Sequence, residues 1–77
     1  MAKRKTEIPD FVIELGKRIR EIRKEKEMSI EEVAYKAEID AQNLRKYELG
    51  RQEMKVSMLK RISDSMGVNL NELLAKI

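Results

Sequence analysis

A chain of 77 residues holds one domain at most and buries only a modest core. With no Cys and no His it has neither disulfides nor a Cys/His zinc site, so its stability must come from packed helices, alone or as a dimer. Its net charge of +3, from 17 Lys and Arg against 14 Asp and Glu, suits an anionic partner, and no apolar run nears the roughly 18 residues of a membrane span.

Residues 1–8 read as a flexible arm, basic at Lys3, Arg4 and Lys5. No apolar stretch follows these charges, so the arm is not a secretory signal. It is either a DNA-following arm or a solubilising tail. Pro9 and Asp10 then open a helix expected over Phe11 to Lys26, with Asp10 as its N-cap. Val12, Leu15, Ile19 and Ile22 form one apolar stripe at helical spacing, and Lys17, Arg18, Arg20, Arg23, Lys24 and Lys26 form a basic opposite face. Ile8, Phe11 and Ile13 lie beside this stripe, either wrapped onto the core or part of a dimer patch.

Ser29 and Glu32 make a capping box for a second, short helix that ends near Ala37, with Val33, Ala34 and Ala37 on its inner face. Tyr35 on this helix is either partly exposed packing or a phosphate contact. Asp40 caps a third helix from Ala41 to about Leu49, with Leu44 and Tyr47 turned inward and Gly50 as its stop. After a polar loop from Arg51 to Val56, Ser57 is expected to cap a fourth helix buried through Met58, Leu59, Ile62 and Met66 and ended by Gly67. Asn69 and Glu72 open a fifth with Leu70, Leu73, Leu74 and Ile77, of which the last three complete the core or face a second copy. The expected architecture is all-α: an arm at residues 1–8 and a compact five-helix domain over residues 9–77.

The functional signal lies in residues 30–49. Two helices of about two turns, joined by a tight turn, are too short for a coiled-coil hairpin and fit a steep crossing with Ala34 at the contact. Leu44 and Tyr47 then fix the second of these helices, and Gln42, Asn43, Arg45 and Lys46 face outward. Gln and Asn can bond adenine bidentately, and Arg or Lys can bond guanine. The same residues also suit an ordinary solvated helix surface.

The segment Leu15–Lys26, then Met28 and Ser29, Glu32–Ala34, Leu44, Tyr47–Gly50, Leu59, Ile62 and Met66–Leu73 closely resembles the lambda-repressor-like (Cro/C1, or XRE-type) helix-turn-helix family over roughly residues 12–75. The resemblance implies a five-helix DNA-binding domain of a bacterial, phage or plasmid transcription regulator, cytoplasmic and associated with the nucleoid, binding double-stranded DNA as a homodimer. By resemblance, Ala41, Gln42 and Lys46 approach base edges in the major groove, Ala41 through an apolar contact alone, and Asn43 and Arg45 share their helix. Arg51, Gln52 and Lys55 match the loop that follows the phosphate backbone, where contacts set register and affinity rather than sequence. Arg23 and Glu48 match a structural ion pair.

Three positions depart from the family pattern. Glu27 and Glu38 stand where glycine usually ends the first and second helices, and Ile30 replaces a glutamine that bonds a phosphate and a recognition residue. No enzyme, cofactor, metal or small-molecule ligand is expected: the chain lacks His and Cys, a Gly-rich phosphate loop and an evident pair of carboxylates in a cleft. The alternative function is a protein-interaction module on the same fold, such as an antitoxin or a regulator adaptor.

Overall fold

The computed structural model describes residues 8–77, so the expected arm lies outside the described residues except for Ile8, which is half-buried. Five helices follow in chain order: α1 (Asp10–Glu25), α2 (Ile30–Ala37), α3 (Ala41–Glu48), α4 (Val56–Ser65) and α5 (Leu70–Leu74). No strand occurs among the described residues.

The starts of the helices show which residues supply the missing acceptors for the first backbone N–H groups. Ser29 Oγ accepts from the Glu32 N–H at 3.0 Å, Asp40 Oδ1 from Gln42 at 2.8 Å, and Asn69 Oδ1 from Glu72 at 2.7 Å. The Glu32 carboxylate lies 3.9 Å from Lys36 Nζ. Two starts differ from expectation. Pro9, not Asp10, is the N-cap of α1; its carbonyl accepts from Val12 and Ile13. Asp10 is the first helical residue, where its charge favours the positive end of the helix dipole. Ser57 lies inside α4, because the extended residue is Lys55, whose carbonyl already accepts from Leu59.

The ends of α1 to α4 share one geometry. Each closes with the paired backbone bonds of a Schellman motif around a left-handed residue. The bonds are Met28 N to Arg23 O and Glu27 N to Lys24 O, Ile39 N to Ala34 O and Glu38 N to Tyr35 O, Arg51 N to Lys46 O and Gly50 N to Tyr47 O, and Val68 N to Ser63 O and Gly67 N to Asp64 O. Gly50 and Gly67 take the left-handed conformation at φ 69° and 74°, and Glu27 and Glu38 take it at φ 56° and 60°. The glutamates therefore keep the turns that glycine would make, at a strain of roughly 1 kcal/mol each.

The core joins Leu15, Ile19 and Ile22 of α1, Val33, Ala34 and Ala37 of α2, Leu44 and Tyr47 of α3, Leu59 and Ile62 of α4, Met66 and Val68 beyond it, and Leu73 of α5. Ala34 is buried at the centre of the helix pair, and Ser63, also buried, satisfies its hydroxyl on the Lys60 carbonyl at 2.9 Å. Leu73 completes the core, Leu74 packs partly against it and Ile77 is exposed. Phe11 is more than half exposed, whereas Ile13 is half-buried and lies close to Gly50.

The basic face expected for α1 is smaller than its charge suggests. Arg18 and Arg23 are both buried. Arg18 sits three residues after Leu15 and four before Ile22, hence on the apolar stripe. Its guanidinium bonds the carbonyl oxygens of Glu72 and Leu73, both at 3.2 Å, and the Glu21 carboxylate at 2.6 Å. A buried charge is tolerable only with such partners. Arg18 thereby fastens α5 to α1 and satisfies carbonyls at the end of a helix only five residues long.

Candidate nucleic-acid interface

Helix α3 divides its residues by face as its periodicity demands. Leu44, Tyr47 and Glu48 are buried, and Gln42, Asn43, Arg45 and Lys46 are exposed. Ala41 is half-buried and packs against the core, so only part of its surface reaches outward. Gln42 and Arg45, one turn apart, share a hydrogen bond of 3.4 Å. Arg45 also lies 4.0 Å from the Glu31 carboxylate of α2. Both contacts are long and solvent-exposed, and an exposed pair of this kind contributes roughly 0–1 kcal/mol. Arg45 therefore exchanges them readily for a stronger partner. The Asp40 carboxylate, acidic beside this face, is engaged by the Gln42 N–H.

The opposite side of α3 is fixed to α1. Arg23 Nε donates to Glu48 Oε2 at 2.7 Å and Arg23 Nη2 to Glu48 Oε1 at 3.0 Å, a bidentate pair buried on both sides. Arg23 Nη1 donates in addition to the Met28 carbonyl at 2.9 Å, which ties the α1–α2 turn into the same joint. At Gly16 the helices touch through their backbones: a Cβ there would fall on the Tyr47 carbonyl oxygen and 2.8 Å from that of Glu48. Neither Arg23 nor Glu48 is thus available to a ligand, and both orient α3.

The loop after α3 carries Arg51, Gln52 and Lys55, all exposed, and is pinned to the core by the half-buried Met54. These three residues follow α3 in the chain; Gln52 and Lys55 line a shallow pocket with Tyr47 and Arg61 rather than with the exposed residues of α3. At the start of α2, Ile30 packs partly against the core and offers no polar group, while Tyr35 is 85% exposed. Among the described residues, no cluster of side chains is arranged to hold a metal ion, and no helix is long and apolar enough to cross a membrane.

Sequence reasoning missed three residues that hold the helices together, of which Gly16 and Arg61 act next to α3 and Arg18 joins α5 to α1. Gly16 gave a signal, being a glycine inside a strong helical pattern, where close backbone approach is a common reason. Arg18 gave one too, through its place on the apolar stripe. Arg61 gave none. It lies between Leu59 and Ile62 on α4 and reaches across to the Ala37 and Glu38 carbonyls at the end of α2, at 2.9 and 2.7 Å.

Comparison with known proteins agrees with this geometry. No curated relative matches the sequence. Among solved structures, the chain is similar to the clp gene regulator ClgR from Corynebacterium glutamicum, with a TM-score of 0.84 at 24% identity over 92% of this chain and 91% of that one. It is also similar to the restriction-modification controller protein C.AhdI from Aeromonas hydrophila, with a TM-score of 0.81 at 22% identity over 84% and 98% of the two chains. A variant of the controller protein C.Esp1396I gives a TM-score of 0.81 at 27% identity over 88% and 95%. Residues 16–77 match the family described as the helix-turn-helix domain, so that the chain, with its five-helix architecture, belongs to this family.

Proposed function

We propose that the protein is a sequence-specific transcription regulator that occupies an operator with α3 in the major groove. The observation that carries this reading is the outward row of Gln42, Asn43, Arg45 and Lys46 on a helix whose other side is locked by Gly16 and the Arg23–Glu48 pair. With Ala41 at the half-buried edge, these side chains are the base readers. Arg51, Gln52 and Lys55 are the phosphate contacts. Glycine-free turns at Glu27 and Glu38 do not argue against it, because both backbones keep the left-handed geometry. The likeness to ClgR, a clp gene regulator, and to C.AhdI, a restriction-modification controller protein, supports the reading. The protein acts in the bacterial cytoplasm, on nucleoid DNA and without a cofactor, as a homodimer on a two-fold site, and the exposed Phe11, Leu49 and Ile77 offer apolar surface to a second copy.

The test is selection of bound duplexes from a random pool, followed by anisotropy titration of the enriched sequence. The enriched site should bind at least about 1,000-fold more tightly than random DNA, with log affinity falling by about 0.9 per phosphate contact against log salt. A Gln42→Ala/Lys46→Ala double variant should lose most of that preference while keeping its fold. No enrichment, or a double variant that keeps full preference, would instead favour an interaction module, such as an antitoxin or adaptor.

A further inference from the structure

The base-reading helix α3 starts from the turn Glu38–Asp40, and this turn is unusual in two connected ways. Its left-handed position is a glutamate at φ 60° rather than a glycine. The consecutive carbonyl oxygens of Ala37 and Glu38, which flank the Glu38 Cα, are both capped by one arginine from another helix. Arg61 Nε donates to Ala37 O at 2.9 Å and Nη2 to Glu38 O at 2.7 Å. Carbonyls at a helix end have no intrahelical donor, and a guanidinium fork is shaped to bridge two acceptors with charge-assisted bonds. The Arg61 side chain is 44% exposed, and its ion pair with the Glu38 carboxylate, at 4.0 Å, is too long and too exposed to matter. The two carbonyl bonds are what hold it. Arg61 and Glu38 border the same groove, of about 610 Å³, with Lys36 and Asp64; Asp64 is taken by Lys60 at 2.7 Å and does not compete for the guanidinium.

We infer that Arg61 is a positioning residue for DNA reading: by clamping the Ala37 and Glu38 carbonyls it holds the left-handed turn from which α3 departs, a task that glycine would perform at position 38 unaided. Glycine occupies this backbone region freely, whereas a residue with a Cβ leaves it when nothing opposes the change. Asp40 caps α3 only two residues later, so a turn that relaxes rotates α3 about its far joint at Gly16 and Glu48. The inference rests on the proposed major-groove role of α3 for its effect on binding, but not for its effect on the turn.

The experiment compares wild type with Arg61→Gln, Arg61→Lys, Glu38→Gly and Glu38→Gly/Arg61→Gln, by anisotropy on the selected duplex and on random DNA over a salt series. Residual dipolar couplings of the backbone amides of α2 and α3 are measured in the DNA-free proteins. Arg61→Gln should change the α2–α3 angle and weaken the selected duplex about tenfold, the loss of roughly one base contact. Random-DNA affinity and the salt slope should stay unchanged. Arg61→Lys, with one point donor in place of a fork, should fall between them. The double variant should return to within about threefold of wild type, because a turn with glycine at this position no longer needs the clamp. An unchanged interhelix angle in Arg61→Gln overturns the inference whether or not the protein binds DNA. So does a loss shared equally by random DNA, with a salt slope lower by about one and full rescue by Lys, since that is the pattern of a direct phosphate contact. If wild type prefers no sequence, the functional proposal fails and the couplings still decide the role of Arg61.

Discussion

The two ends of α3 are held by different means. The C-terminal end is joined to α1 by direct backbone contact at Gly16 and by the buried Arg23–Glu48 pair, which also takes in the Met28 carbonyl. The N-terminal end hangs from an exposed turn whose strained glutamate is braced from α4 by a half-exposed arginine. Close packing allows two arrangements at most, contact or separation, whereas an exposed brace can yield by degrees. The first joint therefore bears on whether the domain folds, and the second on the direction in which the exposed face of α3 points.

The largest effect is expected from Gly16→Val. Overpacking a core usually costs about 1–3 kcal/mol because side chains give way, but here the added atoms meet the backbone carbonyls of Tyr47 and Glu48. A loss above about 5 kcal/mol follows, comparable with the whole stability of a domain this size. Thermal unfolding followed by circular dichroism should show no cooperative transition; a normal one would mean that α1 and α3 are not in fixed contact.

Glu48→Ala comes next. It strands the Arg23 guanidinium in a buried site with only the Met28 carbonyl left to it, and should cost about 3–5 kcal/mol in urea denaturation. The loss should persist in high salt, since buried pairs are poorly screened. Arg23→Met/Glu48→Leu should be more stable than Glu48→Ala, because no charge is left unpaired. If the single variant costs less than about 1 kcal/mol, the pair behaves as an exposed one and the contrast between the two ends of α3 disappears.

The same contrast explains how much the sequence disclosed. The apolar stripes, the Ser29, Asp40 and Asn69 caps and the Gly50 and Gly67 stops are local rules, and each was legible because it is satisfied within a few residues. The outward set on α3 was legible for the same reason: helical period alone separates Gln42, Asn43, Arg45 and Lys46 from Leu44 and Tyr47. What escaped was the work done by arginine at long range. Arg61 was indistinguishable in type from the solvent-facing Arg20 and Lys60, since a long side chain can reach a carbonyl 24 residues away without leaving a pattern in its neighbours. Arg18 showed by its place on the apolar stripe that it is buried, but not that its partner is a carbonyl 55 residues away. Start positions were misplaced at Asp10 and Ser57 because good capping residues stood one or two places inside helices that begin on a proline or lysine backbone.

The smallest effect separates the two glutamate turns from each other. Glu27→Gly and Glu38→Gly each relieve a left-handed residue carrying a Cβ, and each glycine also enlarges the freedom of the unfolded chain, so the net gain should be only about 0–0.5 kcal/mol, or at most a few degrees in Tm. Neither loses a strong ion pair, because the Glu38–Arg61 contact is 4.0 Å and exposed. Stability alone therefore does not tell the turns apart; their dependence on Arg61 does. The turn at Glu27 lies between α1 and α2 and is secured by Arg23 through Met28 O, so Glu27→Gly should raise Tm by the same amount whether residue 61 is Arg or Gln. The turn at Glu38 is secured by Arg61 itself, so Glu38→Gly should stabilise the Arg61→Gln protein more than wild type, a coupling of about 0.5 kcal/mol or more in a double-mutant cycle. Equal couplings at the two positions would show that the clamp does not act on the turn it touches, and that α3 is held at its C-terminal end alone.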